Sequence, residues 1–197
     1  MANFFMKSLH YKVEGISTLL MHSDVTANPL HPFTKELKLL TGKRKKTDED
    51  YERIAQTEFI ASCYFKKGVG YYMPAKNIDA TLLGSAKMFK QGVLWKQAAF
   101  VEADSPFIFP HNDLSPLELF RHNESEYADY QTVKIGTSKT VRCRPAFNVW
   151  SFDISIIVDE AKLNEREIDQ IVDNAGRYVG ICDYRPRYGK FNVKKLK

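Results

Sequence analysis

Cysteine is scarce in this chain, and its arrangement is uninformative for metal or disulfide chemistry. The three cysteines, Cys63, Cys143 and Cys182, are widely spaced, with no Cys-x-x-Cys pair and no His-x-x-x-His partner. An odd, scattered set supports neither a disulfide framework nor a zinc site. We therefore expect no metal, and we expect a reducing compartment, the cytoplasm.

Long apolar runs and nucleotide-binding signatures are also missing. No run reaches the roughly 18 apolar residues that a membrane-spanning helix needs, so no membrane partner is expected. The chain carries no P-loop, no dinucleotide-binding fingerprint and no nucleophile elbow. We therefore expect no cofactor, and a non-enzymatic protein is favoured over an enzyme.

The chain is rich in apolar residues, and its basic residues are clustered in particular stretches. Apolar residues make up 44% and aromatic residues 13% of its 197 residues, which indicates a globular protein. The formal net charge is only +5, but residues 35–46 hold six basic residues and one acid, and residues 177–197 hold seven and one. The positive charge is therefore concentrated in particular stretches, as in proteins with an anionic partner.

The hydrophobic patterns predict an α+β fold. Once the less regular stretches are removed, the order is strand 4–14, helix 47–64, paired strands within 139–158, helix 164–176 and strand 189–194. This is the βαββαβ order of a ferredoxin-like unit. We expect a single ferredoxin-like domain over residues 1–197, an antiparallel sheet with helices on one face, and large insertions at about 16–46 and 66–130.

Local predictions apply to four shorter stretches. Residues 98–109 are apolar enough to predict a strand, and residues 110–130, which are polar with little periodicity, are expected to leave the core as a long excursion. Residues 130–135 and 139–145 are strand candidates joined by a tight connection at Gly136.

The most unusual segment is 176–191, between the last predicted helix and the terminal strand. It holds three glycines, three arginines, a proline and three tyrosines. Glycine lets a backbone approach a ligand closely, arginine supplies a planar cation, and tyrosine supplies a stacking face. Nucleic acid is the commonest partner with matching chemistry. The candidate contacts are Arg177, Tyr184, Arg185, Arg187, Tyr188 and Lys190, with Tyr178 and Phe191 as further stacking candidates; the alternative is a surface connection with solvated charges.

A second basic feature is the strand that carries Arg142 and Arg144. Because the two residues are two positions apart, they point to the same face. If this strand lies beside the terminal one, its arginines adjoin Arg185 and Arg187 and complete one basic face for phosphates. The alternative is that both arginines pair with surface carboxylates such as Asp153.

A third basic feature is the loop of four consecutive cations, Lys43, Arg44, Lys45 and Lys46. One interpretation is a flexible finger that binds the nucleic-acid backbone without reading sequence. The other is a solvated turn whose charges balance the acids that open the following helix.

The five histidines suggest a different chemistry. A metal-independent ribonuclease needs a general base beside a cation, and His22 or His31, near the loop after the first strand, would be placed for that role. For His10, His111 and His122 a structural or surface role is favoured.

Several stretches together resemble known families. Residues 71–82, the Leu19-Leu20-Met21-His22 run and the 176–189 loop resemble segments of the RAMP superfamily, the ferredoxin-like proteins of CRISPR effector complexes. The whole chain also resembles a family of uncharacterised phage and prophage proteins, through residues 43–48, 176–180 and 183–189. The first resemblance implies a ferredoxin-like fold that polymerises along a nucleic-acid strand, with the glycine-rich loop touching RNA.

These observations together predict a non-enzymatic protein of phage or prophage origin that binds single-stranded nucleic acid, RNA or DNA, as a homo-oligomer or filament. Two alternatives stay open. One is a metal-independent endoribonuclease of the RAMP type. The other is an inhibitor that docks on a host or phage protein by mimicking a subunit of a host complex.

Overall fold

The computed structural model describes residues 6–196 and has a mixed α+β fold with antiparallel sheets, as the sequence predicts. Phe4, where the first predicted strand begins, lies outside the described residues. The strands are β1 Met6–Gly15, β2 Leu19–Leu20, β3 Phe65–Lys66, β4 Gly70–Met73, β5 Ala99–Val101, β6 Ser105–Pro106, β7 Ala128–Ile135, β8 Ser138–Phe147, β9 Ser151–Asp159 and β10 Phe191–Lys195. The helices are α1 Pro32–Thr41, α2 Asp48–Ser62, α3 Ala75–Met88, α4 Gly92–Ala98, α5 Pro116–Tyr127 and α6 Glu165–Asn174.

The described chain divides into two compact units. The first unit comprises residues 6–19, 71–110 and 148–196, and the second comprises residues 20–70 and 111–147. The organisation as a single domain stays a prediction.

A four-stranded sheet forms the centre of the first unit. Its strand order is β10–β1–β9–β5, and every neighbouring pair is antiparallel. In β1 the predicted alternation is present, because Leu9, Tyr11 and Val13 are buried whereas His10 and Glu14 are exposed. One face of the sheet is therefore covered and belongs to the core.

Helix α6 forms where the sequence predicts it. The Asn164 side chain accepts a hydrogen bond from the Glu167 N–H at 3.1 Å, and the Glu167 carboxylate accepts one from the Asn164 N–H at 2.9 Å. This capping box satisfies two free donors of the first turn. Ile168, Ile171 and Val172, at helical spacing, are fully buried.

An ionic network ties α6 to the sheet. Lys195 of β10 binds Asp169 at 2.8 Å and also contacts Glu165, while Lys7 of β1 binds Glu165 at 2.5 Å. The Tyr11 hydroxyl donates to Asp169 at 2.7 Å. Lys195 and, second, Lys7 lower the pKa of Glu165 to about 2. Lys195 is therefore occupied by acids of its own unit.

The strand predicted over residues 98–109 is wrong over most of its length. Only Ala99–Val101 and Ser105–Pro106 are strand, and α4 ends at Ala98. Trp95 is buried in that helix, and its indole N–H donates to Asp79 at 3.0 Å. Asp104 interrupts the apolar run because its carboxylate accepts the Ala75 N–H at 2.9 Å, at the start of α3.

The stretch predicted as an aperiodic excursion contains α5, so that prediction is wrong. Ser115 and Glu118 form a capping box at its start, and Leu119 and Phe120 are buried. The helix kinks at Asn123, whose φ is −133°. Helical spacing from Phe120 would place an apolar residue at position 123 or 124, and both are polar, whereas the capping box is a signal that the sequence does contain.

The predicted strands 130–135 and 139–145 are confirmed as the antiparallel hairpin β7–β8. The prediction that residues 139–158 form a strand pair is wrong, because β8 pairs with β7 while β9 pairs with β1 and β5. The reason is the turn at Gly136, whose φ of 60° allows two adjacent strands to fold directly back on each other.

The second unit contains the hairpin together with α1, α2 and α5. The helix predicted over 47–64 is confirmed as α2: the Asp50 carboxylate accepts the Thr47 N–H at 3.1 Å, and the Thr47 hydroxyl accepts the Asp50 N–H at 3.3 Å. Phe59 of α2 packs against Phe120 of α5 with ring centroids 5.2 Å apart. Apolar contacts between these helices thus form the core of the second unit.

Candidate functional site

The first candidate site is the Gly-Arg loop, residues 176–190 of the first unit. The chain continues α6 for one wide turn over Ala175–Val179, and the Gly180 N–H then closes on the Ala175 carbonyl at 2.9 Å. The Ile181 N–H donates to the Gly189 carbonyl at 2.9 Å, and the Gly189 N–H donates to the Thr18 carbonyl at 2.8 Å. The loop backbone is therefore held at both ends.

Two glycines make this backbone possible. Gly180 has φ +72° and Gly189 has φ +68°, in the left-handed region that side chains disfavour. A Cβ atom at Gly189 would lie 2.0 Å from the Ile181 carbonyl oxygen, and one at Gly180 would lie 2.7 Å from the Tyr188 carbonyl oxygen. Any side chain at Gly189 would force the loop apart.

The loop presents cations and aromatic rings at the surface. Arg177, Tyr178, Tyr184, Arg185 and Arg187 are all exposed. Among residues 6–196, Arg187 has no ion-pair partner, so its guanidinium is available to a ligand. Phosphate contact and base stacking by these side chains stay a prediction.

Contacts within the unit set how the loop side chains are held. Arg177 Nε lies 3.1 Å from an Asp173 oxygen, and Arg185 Nη1 lies 3.3 Å from the Thr81 hydroxyl. Tyr184 and Tyr188 pack edge to face with ring centroids 6.1 Å apart. The two tyrosines therefore support one another.

Two other predicted residues at the end of this segment differ in exposure. Phe191 is 4% exposed and belongs to the core, so the interpretation of Phe191 as a stacking side chain is wrong. The Lys190 side chain is half-buried, and its carbonyl accepts the Ile16 N–H at 2.9 Å. Phe191 is apolar and begins the terminal strand, where its alternation turns it inward.

The second candidate site is the basic cleft, a depression of about 1090 Å³ within the second unit. Helices α1 and α2 form one wall and the β7–β8 hairpin forms the other. Among the described residues that line it are five cations and one carboxylate, Glu58. The cations are Lys38, Lys46, Lys134, Arg142 and Arg144.

Glu58 explains how Arg142 is positioned. The Glu58 side chain is only 7% exposed, and it accepts hydrogen bonds from the Arg142 guanidinium and, at 2.9 Å, from the Cys143 N–H. A buried carboxylate requires such donors. Arg142 thus pairs with a carboxylate, as the alternative predicts, but its partner is the buried Glu58 and not Asp153 at the surface. Arg142 and Arg144 both line the cleft, as their spacing predicts.

The two candidate catalytic histidines have different environments. His22 lines the basic cleft, where loss of water around the ring, followed by the charges of Arg144 and Arg142, lowers the pKa of its imidazole. His31 precedes α1, where its Nδ1 accepts the Phe33 N–H at 3.4 Å, and it does not line the cleft. His31 is thus a helix-capping residue, and His22 is the histidine that lies among cations.

The cationic loop divides between both interpretations made from the sequence. Lys43 Nζ binds Asp50 at 2.5 Å and lowers the pKa of that carboxyl, as expected for a balanced helix start. Arg44 and Lys45 are exposed, and Lys46 lines the basic cleft.

The single basic face predicted from the sequence rests on a strand pairing that is wrong. The terminal strand β10 pairs with β1, and β8 pairs with β7. The candidate residues therefore fall into two groups, one in each unit. The sequence places Lys134 in the same basic stretch as Arg142 and Arg144, whereas Tyr51 and Lys38 of the cleft were not predicted as contacts, because they lie on two different helices and carry no local motif.

None of the helices within residues 6–196 combines the length and the apolar character of a membrane span. Within the same residues, no three His, Cys, Asp or Glu side chains are grouped so that they could hold a metal ion. The chain matches no protein-family model and no curated protein. Membership of the RAMP superfamily or of a phage protein family stays a prediction.

Proposed function

We propose that this protein is a non-enzymatic single-stranded nucleic-acid-binding protein of phage or prophage origin, which binds through the Gly-Arg loop. The observation that carries the proposal is a loop backbone held by hydrogen bonds at both ends with Arg177, Arg185, Arg187 and two tyrosines at its surface. A loop that is ordered before binding loses less conformational entropy when it binds.

The side chains favour a single strand as the ligand. Arginine contacts any phosphate, but a tyrosine ring stacks on a base only where the base is not already stacked in a duplex. We propose that the protein acts in the bacterial cytoplasm as a homo-oligomer or filament along RNA or DNA.

The proposal includes a ferredoxin-like fold for the first unit. Its chain order is β1, helices α3 and α4, β5, β9, α6 and β10, and its strand order is β10–β1–β9–β5. Numbered within the unit, these strands have the order 4-1-3-2, which supports a βαββαβ arrangement. The first helical segment of this arrangement, α3 and α4, and its second strand, β5, differ from the helix 47–64 and the first strand within 139–158 that the sequence predicts.

Fluorescence anisotropy with labelled single-stranded RNA, single-stranded DNA and duplex tests the proposal. If three arginines each neutralise a phosphate, the logarithm of affinity falls with the logarithm of salt concentration with a slope of about −2. The double replacement Arg185→Ala and Arg187→Ala should weaken binding at least about tenfold and reduce the slope to about −0.7.

The matched control removes the same charge elsewhere in the first unit. Lys96 and Lys162 are exposed and lie outside the loop, so Lys96→Ala with Lys162→Ala should bind almost as the parent does. Equal effects of the two double replacements would contradict the loop assignment. A host protein that binds the chain, with no oligonucleotide bound, would favour the docking inhibitor instead.

A second candidate function, a metal-independent endoribonuclease, is favoured by the position of His22 beside Arg142 and Arg144 in the basic cleft. A neutral imidazole next to fixed cations suits general-base chemistry on a phosphodiester. This function predicts that the parent protein cleaves RNA in the presence of a chelator. His22→Ala should abolish that cleavage, and His31→Ala should not. Intact RNA after prolonged incubation with the parent protein would exclude it.

A further inference from the structure

The basic cleft is lined by both cationic and apolar side chains. The helices carry the aromatic ring of Tyr51 and the apolar side chains of Leu37 and Ile54, and the hairpin carries Val133 and Val141; the cations are Lys38 and Lys46 on the helical side and Lys134, Arg142 and Arg144 on the hairpin. A ligand that fits this lining has one flat or apolar part and one anionic part. A nucleotide, with a base at one end and phosphate at the other, has this form.

The hairpin wall is fixed by its own contacts. Glu58 holds the Arg142 guanidinium, and the Cys143 N–H on the next residue donates to the same carboxylate. Arg144 follows on the same face of β8. Glu58 is the one carboxylate among the described lining residues, against five lining cations, so the lining carries a net positive charge.

The size of the cleft is also suitable. Small-molecule sites commonly enclose about 300–1,000 Å³, and this cleft of about 1090 Å³ is slightly larger than that range. It can therefore accommodate a nucleoside with one or more phosphates.

We propose that the basic cleft is a second ligand site, distinct from the Gly-Arg loop, that binds a nucleoside phosphate with its phosphate against Arg144 and the cleft lysines and its base against Tyr51. The nucleoside phosphate comes either from a free nucleotide or from one position of a nucleic-acid strand. The site belongs wholly to the second unit, so the proposal does not depend on binding by the loop.

Isothermal titration with ATP, AMP, adenosine and inorganic phosphate at moderate salt tests the site. We expect ATP to bind more tightly than AMP, and both to bind more tightly than adenosine or phosphate alone, because base and phosphate each contribute. Arg144→Gln should weaken ATP binding by about tenfold or more. Tyr51→Ala should weaken it by roughly fivefold or more, whereas Tyr51→Phe keeps the ring and should bind as the parent does.

The control for charge is Arg121→Gln, since Arg121 is exposed in the same unit but does not line the cleft. Circular dichroism of each variant establishes that it is folded. The proposal is overturned if none of the four compounds binds at millimolar concentration, if phosphate binds as tightly as ATP, or if Arg144→Gln and Arg121→Gln have equal effects.

Two further comparisons separate the possible sources and the two sites. A tetranucleotide that binds more tightly than ATP, and loses affinity with Arg144→Gln, identifies a strand as the source; the reverse order identifies a free nucleotide. ATP binding that survives Arg185→Ala with Arg187→Ala supports a site distinct from the loop, and loss of ATP binding in that variant refutes it.

Discussion

Replacing Arg142 by glutamine would leave the Glu58 carboxylate inside the second unit without its cation. The hydrogen bond from the Cys143 N–H, at 2.9 Å, would then be the bond that remains to the Glu58 carboxylate. Removing one partner of a buried ion pair costs about 3–5 kcal/mol, and because the Arg142 side chain is 35% exposed and water can replace part of it, we expect about 2–3 kcal/mol.

Two spectroscopic signals can assign this loss of stability to the second unit. Both tryptophans of the chain, Trp95 and Trp150, lie in the first unit, so indole fluorescence follows that unit while far-ultraviolet circular dichroism follows the helices of both. In urea, Arg142→Gln should lower the midpoint of the dichroism transition by about 1–2 M. The exposed control Arg121→Gln should change the unfolding free energy by less than about 0.5 kcal/mol.

A double-mutant cycle distinguishes a lost ion pair from a general disturbance. Glu58→Gln keeps an acceptor for the Cys143 N–H and leaves Arg142 partly solvated, so it should cost only about 1 kcal/mol. The double replacement should then cost about 1–2 kcal/mol less than the sum of the single replacements. Additive costs would refute the role assigned to Glu58.

Three other predictions concern the loop, the ionic network and His22. In the same urea experiment, Gly189→Ala should destabilise the first unit far more than Gly68→Ala destabilises the second. Both glycines have positive φ, but only at Gly189 would a Cβ atom meet backbone, at 2.0 Å. Equal losses of unfolding free energy would contradict the close approach at Gly189. Lys195 and Lys7 lower the pKa of Glu165 to about 2. The stability that the ionised Glu165 contributes is therefore complete above its ordinary pKa of 4.5 and is lost as the pH falls towards 2. An NMR titration of the carboxyl group should show the lowered pKa, and Lys195→Met should raise it. His22 should titrate by NMR below its ordinary pKa of 6.5, and Arg144→Gln should raise the pKa because it removes a neighbouring cation; a normal titration in the parent would weaken the ribonuclease candidate.

Local patterns in the sequence were sufficient for several elements. Hydrophobic patterns predicted helices α2 and α6 and strand β1, and the tight connection at Gly136 predicted the β7–β8 hairpin, because each depends on residues close together in the chain. Helix α5 was not predicted because Asn123 and Glu124 are polar where helical spacing from Phe120 would place an apolar residue.

The pairing of strands and the second candidate site depend on long-range packing instead. The turn at Gly136 predicts that β7 lies beside β8, but no local pattern specifies which strand lies at the other edge of β8, and the predicted basic face joined arginines that belong to different units. The cleft combines Lys38, Tyr51, Lys134 and Arg144 from three segments. The ordinary spacing of each segment predicts a helix or a strand and gives no sign that the segments line one cavity.

The salt dependence of binding can decide whether one strand uses both candidate sites. Three phosphates at the Gly-Arg loop give a slope of about −2, whereas three further contacts, from Arg144, Lys38 and Lys134, would bring it to about −4. If both sites hold one strand, Arg144→Gln should reduce that slope by about 0.7, as one lost phosphate contact requires. If the parent slope is about −2 and Arg144→Gln leaves it unchanged while weakening ATP binding, the loop binds the strand alone and the cleft serves a free nucleotide.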